Sequence, residues 1–368
     1  MTTPEPRDEA DLSEAIRSAR GPLCIGGGFT RGFANGGARL SLARLSGIAL
    51  HEPGALTLVA RAGTPMAEVE RTLAEAGQRL PFEPLDLRAL LGTSGEPTLG
   101  GAIATGASGP RRVLVGGARD FVLGARFVDG TGMVVRSGGR VMKNVTGLDL
   151  ARLLAGSHGT LGVLTEIALK VLPAPETART LRLSGLDTAA ACAALAAALS
   201  APLEVSGAAF DAEGGIARLR LEGFAASVEE RAARLAERLR PWGAAEEDPD
   251  TDWAAIRDVR DFAGRPGDVW RLSLRPSEAP AILARAGGAQ RLDWGGARAW
   301  LLLPEGTDLR GWLGAAGARA VLVRAAPDTL HALGRFPPEA PAVAHLSAAL
   351  RERFDPRGLL NPGLMAAA

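Results

Sequence analysis

Three consecutive glycines follow a short apolar run in Leu23-Cys24-Ile25-Gly26-Gly27-Gly28-Phe29-Thr30. Glycines in series let successive main-chain N–H groups point into one concavity with no side chain in the way, and Thr30 can add a hydroxyl. Such a loop can bind an anion; the other reading is a turn that merely ends a strand. Two familiar phosphate-binding patterns fail here. G-x-G-x-x-G would begin at Gly26 and Gly28 but meets Arg31, with Gly32 one place late. A Walker-type loop needs Gly-Lys before Ser or Thr, and neither Lys143 nor Lys170 follows a glycine. An NTPase and an ordinary NAD enzyme are therefore disfavoured.

A second small-residue segment, "TLGGAIATGASGPRR" from Thr98 to Arg112, contains Gly100, Gly101, Ala102, Ala104, Gly106, Ala107 and Gly109. It buries little apolar area per ordered residue and suits a flat or extended ligand better than a core. Thr105 and Ser108 supply its hydroxyls. A third cluster, "GSHGTLGVLTEI", runs from Gly156 to Ile167. Together the three imply a long ligand wrapped by one domain.

Other polar residues carry two readings each. Arg111 and Arg112 screen an anion or dock an acidic partner, or form a solvated pair. Lys143 and Asn144 bond a ligand edge or tie two loops together. Arg119 and Asp120 read as a loop-anchoring pair, Asp293 as a buried cap, and Trp294 and Trp300 as core or subunit interface. The four histidines, His51, His158, His331 and His345, are isolated from one another, and Cys24 and Cys192 are the only cysteines. Neither a Cys-based zinc or iron–sulfur site nor any metal-ligand spacing is present.

The elements that must position these groups are legible from periodicity. "IALHEP" and "ALTLVARAG" read as strands, and "TPMAEVERTLAEAG" as a helix capped by Thr64, with Pro65 first and Gly77 as its stop. "DFVLGARFVDGTGMVVRSGG" reads as a hairpin turning at Asp129-Gly130, "GLDLARLLAGSHG" as a short helix, and "LGVLTEIALKVLP" as a strand. After the Pro-rich "LPAPET", Ala- and Arg-rich helices alternate with strands such as "IARLRLEGF", "VWRLSL" and "ARAWLLL". That suits an α+β unit with helices on one face of an antiparallel sheet. The expected domains are 1–175, 176–335 and 336–368.

The chain's 368 residues, 46% apolar and 23% charged, suit a soluble globular protein. A formal charge of +1 offers no field for nucleic acid, and the polar N-terminus has no apolar core for export. No direct membrane insertion and a cytoplasmic location are expected.

"GGGFT", "TLGGAIATGASGPRR", "ARDFVLGARFVDGTG", "GGRVMKNVTGLDLARLLAGSHGTLGVLTEIALKVLPAP", "RLDWGGARAW" and "FDPRGLLNPG" together resemble the E subunits of bacterial glycolate oxidase, flavoproteins of the vanillyl-alcohol-oxidase type. The resemblance implies an α+β fold: a PCMH-type FAD-binding domain of two α+β subdomains, an α+β cap with an antiparallel sheet, and a C-terminal segment returning to the first domain. It implies FAD lying extended, with its pyrophosphate on the main chain of Gly26, Gly27, Gly28, Phe29 and Thr30. Gly100, Gly101, Thr105, Gly106, Ser108 and Gly109 match a second flavin-contacting segment. Gly162, Glu166 and Ile167 match a strand lining the adenosine or ring edge, and Asn361 matches an asparagine near the isoalloxazine.

The implied partners are a sister FAD subunit carrying the substrate site, an iron–sulfur subunit that takes the electrons, and a small 2-hydroxy acid. Membrane association would come only through those subunits. Enzymes of this type that oxidise D-lactate or glycolate resemble one another in a His-x-Gly-Asp-Gly-Asn-x-His run, which this chain lacks. The catalytic base is therefore unknown, and Leu148 stands where the related motif has a tyrosine. Two alternatives stay open: a non-catalytic scaffold that kept the fold, and a self-sufficient dehydrogenase for a D-2-hydroxy acid.

Overall fold

A computed structural model describes residues 5–141, 147–314 and 318–365. Two compact units divide the chain: residues 1–108, 117–174 and 338–367 form the first, and 109–116 and 175–337 the second. The second unit thus takes in residues 109–116, which the sequence reading left with the first.

In the first unit, helix α1 (Glu9–Ser18) starts at Asp8, whose carboxylate accepts from the amides of Ala10 and Asp11. Strand β1 (Leu23–Gly26) pairs in parallel with β2 (Ala38–Ser41). Strands β3 (Ile48–Glu52) and β4 (Thr57–Arg61) precede helix α2 (Met66–Glu75), which buries Met66, Val69 and Leu73 and stops before Gly77 at φ +66°. Thr64 does not cap this helix as expected. Its buried hydroxyl instead donates to the Arg61 carbonyl and accepts from the Gly47 amide, while Pro65 occupies the cap position.

Helix α3 (Leu99–Ala104) is followed by the hairpin β5 (Val122–Val128) and β6 (Val134–Gly138), helix α4 (Leu150–Leu154) and strand β7 (Val163–Lys170). The hairpin turn is wound on Asp129, whose Oδ1 accepts from the amides of Thr131 and Met133. Five strands form one antiparallel sheet in the order β3-β4-β7-β5-β6. Central β7 is buried at every residue but Glu166 and Lys170, the pattern of a strand covered on both faces. The C-terminal segment returns here: Leu23 donates to the Leu359 carbonyl at 2.8 Å, and Leu359 and Leu360 join Leu12, Ile16 and Leu40 in one core cluster.

The second unit is built on an eight-stranded sheet whose neighbours are all antiparallel. Its strands are β8 (Thr177–Leu183), β9 (Val205–Asp211), β10 (Ile216–Gly223), β11 (Asp268–Ser273), β12 (Ala289–Asp293), β13 (Arg298–Leu303) and β14 (Arg319–Arg324), with the short Glu246–Glu247 at one edge. The spatial order from that edge is β8-β10-β9-β12-β13-β11-β14. Alternation in "IARLRLEG" sends Ala217, Leu219 and Leu221 into the core and Arg218, Arg220 and Glu222 to the other face. The core lies under helices α5 (Thr188–Leu199), α6 (Ala225–Leu239) and a third at Ala279–Ala286. The sequence reading placed helices on one face only. The opposite face is also met: Trp253, which opens the Trp253–Asp258 helix, fills the space over Gly207 and carries the Arg220 guanidinium 4.7 Å from its ring centre.

Candidate functional site

The loop leaving β1 is shaped from within and clamped from without. Phe29, at φ +54°, turns its ring back over Gly26, where a Cβ would lie 2.8 Å from it, and the Arg39 guanidinium stacks on that ring at 4.4 Å. A Cβ on Gly27 would sit 2.2 Å from the Thr98 hydroxyl, and one on Gly28 only 1.9 Å from the Glu96 carbonyl oxygen. Gly95 faces back, its would-be Cβ 2.4 Å from the Gly28 carbonyl. The Thr93 hydroxyl donates to the Thr30 carbonyl at 2.9 Å. Close backbone approach, not turn geometry alone, thus demands glycine at 27 and 28.

Among the described residues, the amides of Gly27, Gly28, Phe29 and Thr30 meet no protein acceptor. Half-buried main-chain donors are almost always paired, so a run of four without partners is a built invitation to an anion. These four donors and the glycine walls beside them fit a pyrophosphate.

The second small-residue segment is brought against the first, but its groups are engaged elsewhere. Thr98 caps α3 by accepting from Gly101 N; Leu99 donates to the Thr64 carbonyl and Gly100 to that of Ala62. A Cβ on Gly100 would lie 2.7 Å from that of Ala62. Gly100 and Gly101 therefore let the helix approach β4 and leave no free donors at its start. The Thr105 hydroxyl donates to the Gly101 carbonyl at 2.7 Å, and Gly106 ends the helix at φ +60°. The third cluster closes over the same end: Gly156 and His158 donate to the carbonyls of Ile103 and Ala104.

Several of the expected contact residues have partners within the protein. Ser108 is 1% exposed and accepts from Ala118 N, which ties a loop. Asn361 spends its amide on the scaffold, accepting from Ile25 N at 2.7 Å and donating to the His158 carbonyl at 3.0 Å. It holds the end of β1 against the histidine loop. Gly162 packs against the Phe127 ring, and Ile167 is fully buried with Ala60 and Ala125 as strand neighbours on either side. Glu166 faces Arg61 and Arg126 across the same strands and lines a cleft of about 20 Å³, room for about one water. Beside it, Arg126 and Thr165 bond Glu9, and Arg126 holds that carboxyl below its usual range.

Gly109 and Arg111 belong to the second unit. The Gly109 carbonyl accepts from Trp294 Nε1 at 2.9 Å, and the guanidiniums of Arg112 and Arg298 lie 4.9 and 3.3 Å from the Trp294 ring centre. Arg111 is neither a solvated residue nor an open anion screen: it is 7% exposed and bonds Glu222 through two nitrogens at 3.0 and 3.1 Å. Asp293 accepts from Trp294 N, the turn cap its sequence suggests. Asp120 accepts from Gly117 N. Lys143 and Asn144 lie outside the described residues. The sequence reading missed Thr93, Gly95, Glu96 and Thr98, the outer wall of the loop; Thr98 before "LGGAIA" carried a legible N-cap signal.

An α+β chain with a glycine loop of unpartnered amides and an antiparallel second sheet defines a class, and comparison with known proteins agrees. Residues 4–138 match the family described as "FAD binding domain". The fold resembles that of a solved alkyldihydroxyacetonephosphate synthase at a TM-score of 0.69 and 16% identity, over 97% of this chain and 76% of that one. Glycolate oxidase subunit GlcD of Bacillus subtilis is 36% identical over 34% of this chain and 25% of its own length. Glycolate oxidase subunit GlcE of Escherichia coli is 38% identical over 98% of this chain and 99% of its own. The chain belongs to the GlcE family of FAD-binding glycolate oxidase subunits.

Proposed function

We propose that this chain is the FAD-binding subunit of a multisubunit glycolate oxidase, taking part in the oxidation of glycolate to glyoxylate. In this reading residues 1–175 and 336–368 form the FAD part and 176–335 the cap. A sister flavoprotein carries the substrate base, and an iron–sulfur subunit takes the electrons. The protein is cytoplasmic and reaches a membrane only through its partners; among the described residues no helix is long and apolar enough to cross one.

The observation that carries the reading is the run of unpartnered amides at Gly27, Gly28, Phe29 and Thr30. They would hold the pyrophosphate, Gly26 and Thr30 would bound the turn, and Asn361 would fix the loop's stem. When bound, FAD supplies a two-electron acceptor for the carbon bearing the hydroxyl. Purified chain should release flavin on denaturation, and FAD at 100 times its dissociation constant should add about 2.7 kcal/mol of stability. Flavin-free protein that FAD does not stabilise would count against the proposal.

The scaffold reading rests on one observation: none of the four histidines lies on the eight-stranded sheet. In the assembled complex, Gly28→Asp should strip flavin from this subunit. Intact glycolate turnover after that loss would favour the scaffold.

A further inference from the structure

Phe29 stands at φ +54°, a backbone conformation that an aromatic residue rarely adopts, and its amide is one of the four unpartnered donors of the β1 loop. Strain at such a position persists only where its neighbours over-determine it. Here the ring is folded over Gly26 and carries the Arg39 guanidinium 4.4 Å from its centre. Arg39 comes from β2, where it lies opposite Cys24 of β1 in the parallel pair, so the strand that flanks the loop's stem brings the cation to it.

The other arginines near the loop are engaged with the protein. Arg31 donates to the Leu85 carbonyl at 2.8 Å, and Arg88 pairs with Asp86 at 2.8 Å and with Glu96, the outer wall of Gly28, at 3.6 Å. Arg39 is exposed, and among the described residues it meets no hydrogen-bond acceptor and no carboxylate. An aromatic face holds a cation without cancelling its charge, which a carboxylate would do. The positive charge of Arg39 and the N–H donors of its planar fork therefore stay available beside four main-chain donors that also have no partner.

A phenylalanine ring centre lies about 4 Å from its own Cα, so the guanidinium stands within about 8 Å of the Phe29 main chain. A unit charge about 8 Å from a dianion in water-like surroundings changes its affinity about fivefold. Over that distance the attraction is nearly unscreened at an ionic strength of about 0.01 M and almost abolished at about 1 M.

We propose that Arg39, seated on the Phe29 ring, supplies the counter-charge for a diphosphate received by the amides of Gly27, Gly28, Phe29 and Thr30, and is a further FAD-binding residue of this chain. This role rests on the flavin reading and extends it to a residue outside the glycine loop.

FAD titrations of full-length protein, followed by flavin fluorescence at ionic strengths of about 0.01 and about 1 M, test it. Arg39→Gln should weaken FAD binding about fivefold at the lower ionic strength and by less than about twofold at the higher. Arg39→Lys keeps the charge and the ring contact, and should bind within about twofold of wild type at both. In Phe29→Leu protein, where the cation has lost its seat, adding Arg39→Gln should cost less than about twofold even at low salt. A purely structural part for Arg39 would give a penalty that salt does not change and that Arg39→Lys shares. That result, equal affinities of wild type and Arg39→Gln at low salt, or an undiminished penalty in the Phe29→Leu background would each overturn the proposal while leaving the flavin reading in place. Wild type that binds no FAD at either ionic strength would overturn both.

Discussion

Replacing Gly28 by alanine tests the clamp on the β1 loop with a single methyl group. That methyl would stand 1.9 Å from the Glu96 carbonyl oxygen and 2.7 Å from its carbon, so the two backbones must part by roughly 1 Å or more. Overpacking of this kind costs about 1–3 kcal/mol, which should appear as lost stability of the flavin-free protein. The same displacement moves the amides of Gly27, Gly28 and Phe29 off their target. Each hydrogen bond to a charged group is worth about 1.5–3 kcal/mol, so losing even one weakens FAD binding by about tenfold to a hundredfold. The assay pairs a denaturant melt of the flavin-free protein with an FAD titration followed by flavin fluorescence. Gly54→Ala, where an added Cβ meets nothing within 4 Å, is the control and should match wild type in both. Gly28→Ala protein that is destabilised as expected yet binds FAD as tightly as wild type would refute the pyrophosphate assignment.

Three further outcomes follow from side chains. Asn361→Ala strands the Ile25 amide and the His158 carbonyl, and a melt should show a loss of about 2–3 kcal/mol together with weaker FAD binding. Arg111→Ala removes the guanidinium that meets the buried Glu222 carboxylate at 3.0 Å and should cost about 3–5 kcal/mol, whereas Arg111→Met with Glu222→Met should recover most of it. Arg265, with help from Arg291, holds the Glu213 carboxyl down to about 2. Its depressed value means that this contribution is complete above the unfolded carboxyl's range and is lost as pH falls from about 4.5 to 2, so Glu213→Gln should flatten melting temperature against pH in that window.

How much could be read in advance depended on how local the cause was. Alternation in "IARLRLEG" fixed which side chains enter the core, and the helical spacing of Met66, Val69 and Leu73 fixed the buried face of α2. The glycine loop was visible because consecutive glycines are rarely core. Its outer wall was not, because Glu96 and Thr98 meet Gly27 and Gly28 only after the chain has passed through β2, β3, β4 and α2. Asn361 meets Ile25 across 336 residues, and Arg111 meets Glu222 across 111; no spacing rule reaches that far. Thr64 misled because a threonine before proline suits a helix cap equally well, and only the placement of Gly47 drew its hydroxyl away. The full burial of Ile167 was not legible because its strand is central, a property set by neighbours and not by its own residues.

The central claim is that the main-chain N–H groups of Gly27 through Thr30 receive the cofactor's pyrophosphate. Amide hydrogen exchange, resolved by residue in isotopically labelled protein with and without FAD, measures those four groups directly. FAD should slow exchange at all four by a factor set by its occupancy, while the amides of Leu99 and Gly100, already bonded to Thr64 and Ala62, change little. Tight FAD binding that leaves exchange at residues 27–30 unaltered would contradict the account.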